Sequence, residues 1–272
     1  MNGASEQQDS IQSSTFSKLL DKVHHMKKVK AVVLRVDTPG GSVVGSDEIY
    51  NQIRRLQAKK IKVVISMGNV AASGGYYISA PADAIFASPG TLTGSIGVIM
   101  GKFNFEGFLK DLGISIDEGR VFGRNANMMS PTTNYTWQQK RKLNQMIDDV
   151  YDEFLRKVSD GRSIPHKQVK KLANGRVWTG EDAYRLGLVD QLGGLSSSIS
   201  FAKELAGLPE DAQVKEVKNQ ASFLAQLKRG FALMMSAGVE EDPLVSAIVA
   251  KLKLMKIFQG QGMLMLEPEL MQ

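Results

Sequence analysis

Apolar positions along this chain follow two spacings in turn. Short apolar runs stand at Val32-Val33-Leu34-Arg35-Val36, Val63-Val64-Ile65, Ala84-Ile85-Phe86-Ala87 and Ile96-Gly97-Val98-Ile99-Met100. Their length and β-branched content predict strands near 31–36, 62–66, 84–87 and 96–100. Between them the spacing becomes helical: Ile49, Ile53 and Leu56 predict a helix over 43–57, and a second covers 73–80. Such βαβ alternation implies parallel pairing with right-handed crossovers, an α/β fold. Upstream, Phe16, Leu19, Leu20 and Val23 share one face of a helix over 15–29, capped by Ser14 or Thr15. Downstream, Leu143, Met146, Ile147, Val150, Tyr151, Phe154 and Val158 form one stripe of a long helix over 136–160. Short helices are expected over 167–172, 180–186 and 195–205, and no internal repeat or low-complexity tract is visible.

Two of the predicted strands end in loops of small residues. After the second come Met67-Gly68-Asn69-Val70-Ala71-Ala72-Ser73-Gly74-Gly75-Tyr76-Tyr77, with a single serine between Ala72 and Gly74. Small neighbours allow a substrate backbone close to the Ser73 hydroxyl, and a helix start favours a developing oxyanion. The plainer reading is a tight turn with a serine N-cap. After the first strand comes Asp37-Thr38-Pro39-Gly40-Gly41-Ser42, whose glycines leave backbone N–H groups bare and able to face an anion. The spacing of Gly40, Gly41 and Gly45 does not fit a dinucleotide fingerprint, and no Gly-Lys-Ser/Thr follows for a phosphate loop. A Gly-Gly loop and a Gly-flanked serine on successive strand–helix units favour an oxyanion hole for acyl transfer.

Composition changes the picture mainly by exclusion. The 272 residues, 43% hydrophobic and 23% charged, suit one sizeable globular domain with extensions. There is no cysteine, so disulfides and thiolate chemistry are absent, and neither metal site nor cofactor is expected. The net charge is +6, but the basic pairs Arg54-Arg55, Lys59-Lys60, Arg141-Lys142 and Lys170-Lys171 are scattered, as on solvated helix faces. That argues against nucleic acid and leaves contact with an anionic membrane surface open. No signal peptide and no apolar run long enough to span a bilayer is present. His24, His25 and His166 accompany no Ser- or Asp-centred motif and read as surface residues.

Four segments in order carry a resemblance: Asp37 to Ser42, Met67 to Tyr77, Thr93-Gly94-Ser95-Ile96-Gly97, and Gly175 to Ala183 with Gly187-Leu188-Val189-Asp190. Together they resemble the signal peptide peptidase A family, the S49-type serine peptidases also called protease IV, over roughly Val29 to Leu205. The resemblance implies a ClpP/crotonase-like ββα superhelix and a Ser–Lys dyad. Ser73 would be the nucleophile, Gly40, Gly41 and Gly74 would supply oxyanion donors, and Ser95 would help position the base. A lysine serves as base only where burial lowers its pKa towards neutrality. Implied substrates are cleaved signal peptides or other hydrophobic, unfolded peptides, cut by rings of like subunits associated with a bacterial inner membrane or a plastid thylakoid.

The chain departs from the family at the base. In short members the lysine precedes a Met-Ser-Pro segment, here Met129-Ser130-Pro131, and Ala126 stands near the expected place. Arg124 cannot substitute, because guanidinium keeps its proton, and nothing in the pattern favours Lys102 or Lys110. In double-length members an N-terminal half supplies the lysine and a C-terminal half the serine, and this chain resembles the serine-bearing half. It therefore reads as a fragment or short form whose base comes from another chain or a missing N-terminal half. Residues 1–14 are a polar N-terminus expected to be disordered, 15–208 the peptidase domain, and 209–272 a helical C-terminal extension. In that extension Phe223, Leu224, Leu227 and Phe231 form an apolar face that would pack on a subunit or meet a membrane surface. Three alternatives stay open: a non-catalytic or partner-dependent subunit, a crotonase-like acyl-CoA enzyme, and a membrane-surface adaptor.

Overall fold

The computed structural model of the protein describes residues 13–114, 116, 123 and 125–217. The chain divides into two contact units, Met1–Val217 and Lys218–Gln272, and the first holds every described residue. The expected features of 1–12 and of the extension beyond 217 lie outside the described residues.

Helix α1 (Ser13–His25) leads into β1 (Ala31–Thr38), α2 (Val43–Ala58), β2 (Lys62–Ala72) and the short α3 (Gly74–Ser79). Then come β3 (Ala84–Ala87), β4 (Leu92–Gly94), α4 (Glu106–Asp111) and the long α5 (Trp137–Arg162). The described elements end with α6 (His166–Leu172), β5 (Val177–Thr179), α7 (Gly180–Arg185), β6 (Gln191–Leu192) and α8 (Leu195–Leu205).

Strand β2 is the hub of the sheet. Its residues Val63 to Gly68 are buried without alternation, as expected of a parallel strand covered on both faces. On one edge it pairs with β1, Ala31 opposite Lys62 through Val36 opposite Met67. The other edge is shared: β3 takes Val64 to Ser66 and β4 takes Val70 to Ala72, both parallel. Strand β6 extends β3 in parallel, and β5 joins β4 antiparallel. One strand feeding two different neighbours curls the sheet. The curl coincides with a bulge, since the β1–β2 register resumes at Thr38 opposite Ala71. Asp37 fills it by accepting from the Val70 N–H at 3.1 Å. Gly68 makes room, because a Cβ there would lie 2.3 Å from Asp37 Oδ2.

Ile53 and Leu56 of α2, Ile65 and Met67 of β2, Tyr76 of α3 and Leu155 and Val158 of α5 meet in one core. Tyr76 is buried whole because its hydroxyl donates to the Leu188 carbonyl at 2.8 Å. At the start of α5, Thr136 accepts from the Gln139 N–H while Gln139 reaches back to Thr136, a capping box.

One strand expectation needs correction. Residues 96–100 form no strand; the ladder ends at Gly94, because Ser95 has φ 48° and turns the chain away. Ile96 is then buried, whereas Ile99 is 101% exposed. Hydrophobicity alone marked that run as a strand, but without a ladder partner it is a loop.

Candidate active site

Ser73 sits where β2 hands over to α3, with φ 51° and ψ −117°. That is the backbone of the first central residue of a type II′ turn, a place that glycine takes without strain. Two hydrogen bonds hold it there: its N–H donates to the Gly94 carbonyl, and its carbonyl accepts from the Tyr77 N–H, both at 2.9 Å. The side chain does not cap α3, and Oγ has no hydrogen-bond partner among the described residues. Capping therefore does not account for this serine.

The loop between β1 and α2 lies directly against it. Gly40 has φ 127°, and a Cβ there would come within 2.8 Å of Ser73 Cβ and 3.2 Å of Ser73 Oγ. A Cβ on Gly74 would meet Ser46 Oγ at 2.6 Å and the Gly41 nitrogen at 3.1 Å. Only glycine at both places lets the two turns approach this closely. The Gly40 N–H is directed to Thr38 Oγ1 at 3.3 Å. The N–H groups of Gly41 and Gly74 have no partner among the described residues. Ser42 then starts α2 as its N-cap, accepting from the Gly45 N–H.

These turns form one side of a small cleft. Gly41, Val43 and Ser46 line it from the α2 side, and Ser73, Gly74 and Tyr77 from the α3 side. Gly97 and Val98 close it past β4, and Val150 and Phe154 of α5 face it. Burial, and then the hydrogen bond to the Asp47 carboxylate, push the Tyr77 phenol well above its ordinary range, so it stays neutral. Ser95 follows the Gly94 carbonyl that anchors Ser73, and its own N–H donates to the Arg176 carbonyl at 2.8 Å.

No lysine, histidine or carboxylate is among the described residues that line the cleft. Ala126 is exposed in a turn, and Arg124 lies outside the described residues. Lys110 is exposed in the last turn of α4. The Lys102 ammonium lies 4.5 Å above the centre of the Tyr135 ring without a hydrogen-bond partner among the described residues, and Lys102 does not line the cleft. His24 and His25 close α1 and His166 opens α6. One titratable cluster escaped the sequence reading: Lys157 of α5 is buried against Asp47 of α2, 2.7 Å from Nζ to Oδ1. Its readable signal was a lysine on the apolar stripe of Val150, Phe154 and Val158.

Residues 55–209 match the family model described as Peptidase family S49, and residues 4–91 match that of Clp protease. The protein slr0021 of Synechocystis sp. is 38% identical over 205 residues, covering 75% of this chain and 73% of that protein. Protease 4 of Salmonella typhi is 43% identical over 183 residues, 67% of this chain and 29% of that protein. The chloroplastic serine protease SPPA of Arabidopsis thaliana is 37% identical over 197 residues, 72% of this chain and 29% of that protein. The chain thus spans under a third of the length of the latter two. With the Clp protease match lying over β1 to β3, the curled sheet is the α/β, ClpP-like fold expected from the sequence. No helix among the described residues is long and apolar enough to cross a membrane.

Proposed function

This chain belongs to peptidase family S49, a family of serine-type peptidases, and from that premise we propose that it carries the nucleophile and oxyanion donors of a Ser–Lys endopeptidase. The observation that carries this is Ser73 Oγ in one cleft with the N–H groups of Gly41 and Gly74, all three without a hydrogen-bond partner among the described residues. Ser73 Oγ attacks a peptide carbonyl, and the two N–H groups hold the tetrahedral oxyanion. A lysine from outside the described cleft, positioned with help from Ser95, takes the hydroxyl proton and returns it to the leaving amine. Water then releases the acyl group by the same route. The cleft is small and walled by Val43, Val98, Val150 and Phe154, which suits hydrophobic and unfolded peptides such as cleaved signal peptides.

The lysine comes from a second copy of the chain or from a preceding half. Self-association and a membrane-associated setting belong to the same proposal. A second reading is a partner-dependent or non-catalytic subunit, and the cleft without a described base favours it. The match to a peptidase family favours peptide over acyl-CoA chemistry.

Fluorophosphonate labelling of the full chain, read by intact mass, tests this. We expect one adduct on the wild-type protein and none on Ser73→Ala. A folded, assembled wild-type chain that stays unlabelled supports the second reading.

A further inference from the structure

Lys157 is a charged residue buried in the fold, at 6% exposure. Its ammonium lies 2.7 Å from Asp47 Oδ1, 3.8 Å from the centre of the Tyr50 ring and 5.5 Å from that of Tyr77. The same Asp47 oxygen accepts from the Tyr77 hydroxyl at 2.9 Å, and Asn51 donates to Oδ2 at 2.9 Å. Burial works against the Asp47 carboxylate, but hydrogen bonds from Lys157 and Tyr77 outweigh it and hold its pKa below the usual range.

A buried ion pair is weak evidence for stability, since desolvation offsets the Coulombic gain. What this one does is join three elements: Asp47 and Tyr50 on α2, Tyr77 on α3, and Lys157 on α5. Helix α2 starts directly after the Gly40–Gly41 loop, and α3 starts directly after Ser73. At about 1.5 Å rise per residue, Asp47 and Tyr77 lie within roughly two helical turns of those starts. Any slide or rotation of α2 against α3 therefore moves the Gly41 N–H relative to Ser73. The packing leaves little slack, since a single added carbon at Gly40 would stand 2.8 Å from Ser73 Cβ.

We propose that Lys157 is a positioning residue for the nucleophile: by bracing the Asp47–Tyr77 hydrogen bond from α5 it fixes the α2 and α3 starts at the spacing the oxyanion site needs. This rests on the assignment of Ser73 and Gly41 given above. Lys157 is not the base, being paired with Asp47 at 2.7 Å and with Glu153 of its own helix at 3.6 Å, and absent from the cleft lining.

The test compares full-length wild type with Lys157→Met, Lys157→Arg and Tyr77→Phe by hydrogen exchange and by the rate of Ser73 labelling. In Lys157→Met, exchange rises severalfold in peptides covering 38–48 and 73–79, while β2 peptides over 62–66 keep wild-type protection. Lys157→Arg restores protection, and Tyr77→Phe, which loses only the hydroxyl, shows a smaller rise in the same peptides. Labelling of Lys157→Met slows about tenfold or more in its maximal rate, with the reagent's half-saturation unchanged. Wild-type protection at 38–48, or loss of protection extending equally to 62–66, overturns the proposal. Should Lys157→Met fail to fold, Asp47→Asn, which removes the charge that Lys157 pairs with and keeps the lysine, decides by the same criterion. Absence of labelling in the wild type counts against the proposed function alone, because the exchange measurement needs no catalysis.

Discussion

At Ser73 the chain turns from β2 into α3 with a backbone that costs a side-chain-bearing residue about 1 kcal/mol or more. The hydroxyl that results is exposed to the cleft and bonded to nothing described, as a nucleophile awaiting its base would be. Glycine relieves that strain, whereas alanine keeps it. Ser73→Gly is therefore expected to be more stable than Ser73→Ala by about 1 kcal/mol, the relief being partly offset by glycine's chain entropy. Urea unfolding of the two variants checks this, and equal midpoints would show the turn to be unstrained. Small residues were what made this site readable: Gly40 and Gly74 record how closely two turns must approach. Asp47 and Lys157 could not be paired in advance, because nothing local to either marks a partner so distant along the chain.

Among elements, α5 braces the site from outside, and its Val150 and Phe154 depend on how closely it crosses α3. Gly161 sets that distance, since a Cβ there would lie 2.2 Å from the Ala80 carbonyl oxygen. Backbone cannot move aside as a side chain can, so Gly161→Ala is expected to destabilise by about 2 kcal/mol through overpacking. Thermal unfolding measures this, and a change within about 0.5 kcal/mol would mean that α5 is free to shift. Helix α5 was plain in the sequence because its stripe of apolar residues repeats over many turns. The strands were less so. Strand β2 runs on from Val63-Val64-Ile65 through Gly68 and Asn69 to Ala72, and its last three residues, Val70 to Ala72, are held in the strand by pairing with β4. The same dependence on a partner explains why the apolar run 96–100 lies in no strand.

On the scale of the whole molecule, the loop after β4 and helix α4 present Ile99, Phe103, Phe108 and Leu112 to solvent, Phe103 at 79% and Phe108 at 64% exposure. Monomeric proteins rarely expose apolar side chains in such a run, and the run starts beside Val98 in the cleft wall. If a second copy covers this strip, it also stands near enough to the cleft to carry a lysine into it. Assembly and catalysis would then be one equilibrium. Sedimentation of the full chain is expected to show self-association that weakens in the double variant Phe103→Ser/Phe108→Ser. The rate of Ser73 labelling per chain should rise with protein concentration over the same range and fall in that variant. A rate independent of concentration while the chain dissociates would place the base within the chain itself. Self-association unchanged in the double variant would put the contact elsewhere.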